Sequence, residues 1–294
     1  MNEVPPKSAG FLALRRSGCR RGPSVVIGTA ATKLRKVAAS GLISLGVTPN
    51  MLSVAGFVLT GCGAVCLLLG AGHAAPWEVR IAPTSASWWP LMGAILLTVA
   101  GASDLLDGEV ARLGDLGTSF GAVLDSTLDR FSDFLIFAGC AVHFSFAGNV
   151  TYVTLSLAAA ANAVLTSYVK ARAENFVDDC SVGYWQRGER CGLFLAAAYT
   201  GHIPAALWLL GTLPILTVIF RLRYAHTAVT GAKRGEPSGW VRHVMLWRRP
   251  RGSAGYDVCA GLVLGFVVIA PLLWPGFYGT GDPLRAILDR FVSV

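Results

Sequence analysis

Between about residue 51 and residue 275 the chain is written in long apolar runs broken by short polar stretches. The runs cover about 51–72, 88–107, 121–145, 150–170, 190–204 and 206–222, and a further one lies near 256–275. A helix needs about 20 residues to cross about 30 Å of hydrocarbon. The pattern therefore predicts an all-α integral membrane protein: a six-helix transmembrane bundle, with the last run able to supply a seventh, C-terminal span. The fifth run is short and holds Tyr199 and Thr200, so its limits are loose. Gly46–Asn50 opens the first span, where Thr48 or Asn50 can cap the helix and Pro49 suits its first turn. Upstream, residues 29–46 set Ala30, Leu34, Val37, Leu42 and Leu45 on one side and Lys33, Arg35 and Lys36 elsewhere. That pattern predicts an amphipathic helix lying on the membrane surface; an ordinary cytosolic helix is the alternative. The organisation expected is a mobile basic segment over 1–28, a membrane domain over 29–225, and a basic segment plus an extra span over 226–294.

Composition agrees. The chain is 53% hydrophobic and 14% charged, against about 25% charged in a soluble domain. The net charge of +8 is concentrated at Lys7, Arg15, Arg16, Arg20, Arg21, Lys33, Arg35 and Lys36, and again between Arg221 and Arg251. Clusters that flank apolar spans mark the cytoplasmic side and its anionic lipid rather than nucleic acid. The 73–87 loop holds only Arg80, beside Glu78, and the connections at 146–149 and 201–205 hold no basic residue. The 171–190 loop holds Arg172, Arg187 and Arg190, with Lys170 at its edge. The alternation puts the N-terminus and the 108–120, 171–190 and 223–252 segments in the cytoplasm. Seven cysteines form no CxxC pair, so neither a zinc site nor a disulfide framework is expected. Five scattered histidines make no ligand set, and Trp88, Trp89, Trp247 and Trp274 read as interfacial residues. The basic N-terminus lacks the apolar core of a secretory signal.

One segment breaks the membrane pattern. From Asp104 to Arg130 the sequence reads DLLDGEVARLGDLGTSFGAVLDSTLDR. Asp104 and Asp107 are three apart at the end of the second span, and Asp125 and Asp129 four apart in the first turns of the third. Both spacings place the partners on one helix face, and charges at the edge of hydrocarbon are costly and usually functional. Four clustered carboxylates call for hard divalent cations, which favour all-oxygen ligands and, in turn, phosphate substrates. Gly108 and Gly121 let a diphosphate approach the backbone, and Arg112, four residues past Gly108, offers a planar fork for phosphate. Asp115 is a solvated loop residue on this reading.

The segment matches D-x2-D-G-x2-A-R-x8-G-x3-D-x3-D at Asp104, Asp107, Gly108, Ala111, Arg112, Gly121, Asp125 and Asp129. In this it resembles the CDP-alcohol phosphatidyltransferase family, and within it the phosphatidylglycerophosphate and phosphatidylinositol phosphate synthases. The resemblance implies two divalent ions, Mg²⁺ or Mn²⁺, held by Asp104, Asp107, Asp125 and Asp129. It implies Asp129 as general base on the acceptor hydroxyl, attack on the β-phosphate of a CDP-lipid such as CDP-diacylglycerol, and departure of CMP. Asp107, Gly108, Ala111, Arg112, Thr118 and Gly121 correspond to the family's CDP-lipid pocket. The run Ser167-Tyr168-Val169-Lys170-Ala171-Arg172-Ala173-Glu174 is similar to a second family segment, and Lys170, Arg172, Arg190 and Arg223 are the acceptor-binding candidates, with Arg187 and Arg221 as close rivals. Helix-end cations of this kind favour a phosphorylated polyol, glycerol 3-phosphate or inositol phosphate, ahead of serine. The resemblance further implies a homodimer in a bacterial inner membrane, with the site facing the cytoplasm. Competing readings are an intramembrane prenyltransferase, which lacks the D-G-x2-A-R register, and a cation transporter, whose carboxylates belong near the bilayer midplane.

Overall fold

The structure, a computed structural model, describes residues 24–78, 84–230 and 253–292. The basic residues Lys7, Arg15, Arg16, Arg20 and Arg21, the 79–83 stretch with Arg80, and the 231–252 segment with His243 and Trp247 lie outside the described residues. Every extended element described is a helix: α1 (Ser24–Ser44), α2 (Pro49–Gly70), α3 (Trp89–Leu113), α4 (Ser119–Phe146), α5 (Val150–Ala173), α6 (Arg187–Thr200), α7 (Ile203–Thr212), α8 (Pro214–Thr230), α9 (Ala254–Leu273) and α10 (Pro283–Val292).

Among the described residues, five stretches are long and apolar enough to cross a membrane: α2, α3, α5, the α7–α8 pair over Ile203–Thr230, and α9. The last bears out a C-terminal span by length and composition. Helix α4 has 28 residues but carries the charged face of the site. Helix α6 has only 14 residues, about 21 Å at 1.5 Å per residue, so the fifth expected span falls short of the hydrocarbon thickness. It begins at Arg187, three residues before its expected start, and ends at Gly201, whose φ of +74° suits a residue without a Cβ. The sixth expected span is broken at Leu213, because Pro214 starts a new helix.

Small residues set the packing of α2. A Cβ on Gly139 of α4 would stand 2.5 Å from the Ala64 carbonyl oxygen, and one on Gly56 would stand 3.2 Å from that of Ala100 on α3. Lipid tails are as apolar as leucine, so close backbone approach rather than apolar burial holds such helices together. The core gathers Leu67, Leu97, Phe137, Phe144, Tyr152, Phe194 and Leu207 from six helices. Val58, Ile95, Phe131, Leu157, Leu262 and Ile269 point outward and are exposed, the inversion expected of a surface solvated by lipid. Thr48 caps α2, accepting from Met51 N.

Helix α1 begins five residues before its expected start. Leu34 and Val37 are each 72% exposed while Ala39 is buried, and Arg35 reaches Glu109 of α3 at 3.1 Å. At the opposite end of the bundle the C-terminal segment locks onto the start of α5. Asp282 accepts from Val150 N (2.8 Å), Thr151 N (3.0 Å) and Thr151 Oγ1 (2.6 Å). Asn149 Nδ2 donates to the carbonyls of Gly279 and Gly281, and Tyr152 OH donates to that of Gly276 at 2.7 Å. Although partial burial opposes ionisation, these donors hold the Asp282 carboxyl below the usual aspartate range.

Candidate active site

The last turns of α3 and the first turns of α4 are joined by residues 114–118 alone, so their polar faces meet. Thr118 opens α4, its Oγ1 accepting from Gly121 N at 2.9 Å. Asp115 sits in the turn with φ +51°. Helix α3 continues six residues past the apolar run that announced it, which carries Asp104, Asp107, Gly108, Ala111 and Arg112 on continuous helix.

One carboxylate oxygen from each of Asp104, Asp107 and Asp125 lies within 4.8 Å of the others. Asp107 is buried and accepts from Ser53 Oγ of α2 at 2.6 Å. Asp129 adjoins this trio at Asp104, whose side chain it meets, and is held by Arg187 Nη2 at 2.8 Å. The same guanidinium donates through Nη1 to Asp104 Oδ2 at 2.9 Å, and its Nε lies 3.7 Å from Asp133 Oδ1. One turn deeper, Arg190 Nη2 meets Asp133 Oδ2 at 3.0 Å, and Arg190 Nη1 donates to the Trp185 carbonyl at 3.0 Å. Arg190 is 3% exposed.

All of these side chains except Asp107 line a cavity of about 100 Å³ that runs from Asp104, Asp125 and Asp129 past Asp133 and Arg190 to Phe57, Phe137 and Phe194. In their ionised forms, five carboxylates face two guanidinium groups, a deficit of three positive charges. A trio of hard oxygen donors with that deficit fits divalent cations such as Mg²⁺ or Mn²⁺.

The residues expected to meet a CDP-lipid fall beside the trio. Gly108 is exposed, and a Cβ there would meet nothing within 4 Å. Packing therefore does not demand glycine, although glycine costs about 1 kcal/mol relative to alanine inside a helix. Gly121 differs: a Cβ would stand 2.9 Å from Asn50 Oδ1 and 3.0 Å from Thr118 Oγ1. Ala111 is half-buried. Arg112 donates to the Gly108 carbonyl at 2.9 Å and pairs with Glu109 at 3.1 Å, its side chain 67% exposed. Glu109 is buried under both Arg112 and Arg35.

The four acceptor candidates separate. Arg190 lines the cavity. Lys170 pairs with Glu174 at 3.7 Å, Arg172 stacks over Phe176, and Arg223 is exposed on α8. Of the two rivals, Arg187 joins the site, whereas Arg221 is buried and donates to the carbonyls of Thr166 and Val182, clamping α8 to α5. Three neighbours were not anticipated. Asp133 continues the Gly121–Asp125–Asp129 ladder by four more residues, a signal present in the spacing. Glu109 sits in a variable motif position, and nothing in the sequence marks Ser53.

The comparisons with known proteins agree with this geometry. A model of the family described as CDP-alcohol phosphatidyltransferase matches residues 46–229. The archaetidylinositol phosphate synthase of Methanothermobacter thermautotrophicus is 39% identical over 140 residues, 46% of this chain and 69% of that protein. The phosphatidylinositol phosphate synthase of Mycobacterium tuberculosis, solved with CDP-DAG bound, superposes with a TM-score of 0.57 at 27% identity, covering 69% of this chain and 98% of that one. The same enzyme in complex with manganese and citrate gives a TM-score of 0.56 at 26% identity, covering 71% and 98%. With the register D-x2-D-G-x2-A-R-x8-G-x3-D-x3-D intact and carboxylates at a helix end and a helix start, neither the prenyltransferase nor the transporter reading survives. The chain belongs to the CDP-alcohol phosphatidyltransferase family, as an integral membrane enzyme of phospholipid biosynthesis that transfers a lipid phosphate group from a CDP-lipid to an alcohol.

Proposed function

We propose that the acceptor is inositol phosphate and that the four motif aspartates and Arg190 do the work expected of them. The observation that carries this reading is the placement of Asp129 beside, not within, the Asp104–Asp107–Asp125 trio. The trio and Asp129 would hold two Mg²⁺ or Mn²⁺ ions, with Asp129 also in position to take the proton. When bound, such ions offset charge on a diphosphate and lower the pKa of a nearby hydroxyl. Gly108 leaves a bare stretch of helix for the diphosphate, next to Asp107, Ala111, Thr118 and Gly121, and Arg112 projects an exposed fork towards it. The acceptor oxygen attacks the β-phosphate, its proton passes to Asp129, and CMP leaves. A carboxylate in this role needs only hydrogen-bond reach of the hydroxyl.

The acceptor's own phosphate needs cations near Asp129, and Arg190 and Arg187 line that part of the cavity. Charge-assisted contacts from two guanidinium groups suit a phosphate better than a neutral or zwitterionic alcohol. Lys170 and Arg172 in the last turn of α5 and Arg223 on α8 add positive charge that draws the anion inward. Relatives named for inositol phosphate products favour this acceptor over glycerol 3-phosphate. Loop charges orient the site towards the cytoplasm of a bacterial inner membrane, and the family resemblance extends to a homodimer.

The test is CMP release by the purified chain from CDP-diacylglycerol, with inositol phosphate, glycerol 3-phosphate or serine as acceptor, in Mn²⁺ and in EDTA. Turnover is expected with inositol phosphate and only with metal. Faster turnover with serine or glycerol 3-phosphate would remove the acceptor assignment.

A further inference from the structure

The C-terminal extension lies outside the 46–229 family match, yet one of its residues reaches the first turn of α6. Ser253 caps α9, its Oγ accepting from Tyr256 N at 3.3 Å. That cap fixes Tyr256 in the opening turn, where its hydroxyl donates to Glu189 Oε1 at 2.8 Å. Glu189 is the third residue of α6, between Arg187 and Arg190. A glutamate at this position often folds back on the residue that opens its own helix; here one of its oxygens is taken by α9 instead. Gln186, which opens α6, makes no side-chain cap bond. The Tyr256 ring lies 6.2 Å from that of Tyr184, which meets the Trp185 ring edge-on at 5.1 Å. The Trp185 carbonyl in turn receives Arg190 Nη1.

We propose that Tyr256 is a positioning residue for the transfer reaction: its hydrogen bond to Glu189 holds the first turn of α6, and with it the direction of Arg187 and Arg190 towards the carboxylates. The extension thereby sets acceptor affinity without touching substrate. The inference rests on the reading that these two arginines face the acceptor phosphate.

The test uses the full chain in detergent, with KM measured separately for inositol phosphate and for CDP-diacylglycerol. Tyr256→Phe is expected to raise the acceptor KM about three- to tenfold, the net range for one ordinary hydrogen bond, with the CDP-lipid KM within about twofold. Glu189→Gln keeps an oxygen that accepts from Tyr256 and should raise the acceptor KM less than Glu189→Ala, which should raise it at least as much as Tyr256→Phe. The Tyr256→Phe, Glu189→Ala double variant should be no worse than Glu189→Ala alone, since the hydroxyl has already lost Glu189. An unchanged acceptor KM in Tyr256→Phe overturns the proposal. So does a parallel rise in both KM values with a lower melting temperature, which is the signature of general loosening. Arg187→Gln separates the two layers. If it leaves the acceptor KM unchanged, the acceptor reading fails and the proposal with it. If it raises the KM and Tyr256→Phe does not, only the role of Tyr256 is lost.

Discussion

Arg187 stands where cationic charge is most needed, between Asp104 at 2.9 Å and Asp129 at 2.8 Å, so it and a divalent ion compete for the same two carboxylates. Arg187→Gln shortens the side chain and removes the charge while keeping a polar end. Breaking a fully buried ion pair costs about 3–5 kcal/mol, and an exposed pair contributes about 0–1 kcal/mol. The guanidinium is 31% exposed, as is Asp104, so about 2 kcal/mol is the fitting magnitude. In EDTA the variant should melt about 4–8 °C below the parent, at 2–4 °C per kcal/mol for a chain of this size. The carboxylates it abandons become freer to take metal. By reciprocity between linked binding events, the same ~2 kcal/mol should appear as Mn²⁺ affinity increased up to about thirtyfold. Melting temperatures across a Mn²⁺ titration, read beside calorimetric binding, measure both. Weaker Mn²⁺ binding by Arg187→Gln than by the parent would refute the competition, because it would mean that the guanidinium supports the ions rather than standing in for them.

Asp129→Asn should fold and lose at least about a hundredfold in CMP release, the usual cost of a missing general base; near-normal turnover would sink that role. Gly108→Ala should be at least as stable as the parent, because its Cβ meets open space and alanine is the better helix former, yet should raise the KM for CDP-diacylglycerol; an unchanged KM would show that the bare helix is not a diphosphate seat. Gly139→Val should lose about 1–3 kcal/mol or more through overpacking against the Ala64 carbonyl, while Gly61→Ala on α2, with nothing within 4 Å, should be at least as stable as the parent; equal melting temperatures for the two would contradict the packing. Asp282 has a carboxyl pKa depressed by its donors. Its contribution is therefore complete above the unfolded aspartate value near 3.9 and declines as pH falls through the lower folded value. Asp282→Asn keeps a capping oxygen and should lose that acid-dependent component, seen as a shallower fall of melting temperature below about pH 4; parallel pH profiles would exclude it.

The spans and the aspartate pairs were legible because both depend on local spacing. Apolar runs report which residues meet lipid, and intervals of three and four report a shared helix face. The same method misplaced the ends of α3 and α6, since hydropathy falls wherever a helix turns a polar face to a cavity; α3 runs on to Leu113 and α6 starts at Arg187 for that reason. Pro214 was present as a breaker but lay within an apolar run, which hid the interruption between α7 and α8. Among the basic residues, sequence could not distinguish Arg187, aimed at Asp129, from Arg223, exposed on α8, or Arg221, which spends its donors on backbone carbonyls. All sit at helix ends, where positive charge is common whatever its use. The bonds of Asp282 were beyond reach for a different reason: its partners lie more than 130 positions earlier in the chain.

That separation has a consequence for assembly. A ribosome extends the chain at about 5–20 residues per second, so the first amides of α5 are made several seconds or more before the carboxylate that completes their capping. During that interval Asn149, which accepts from Tyr152 N at 3.2 Å, is the local side chain able to hold the helix start, with water supplying the rest. The far end of the bundle is therefore provisional while α3 and α4, joined by a five-residue turn, can already bring the four motif aspartates together. The start of α5 is thus completed by residues made long after it, a clasp remote from the carboxylates.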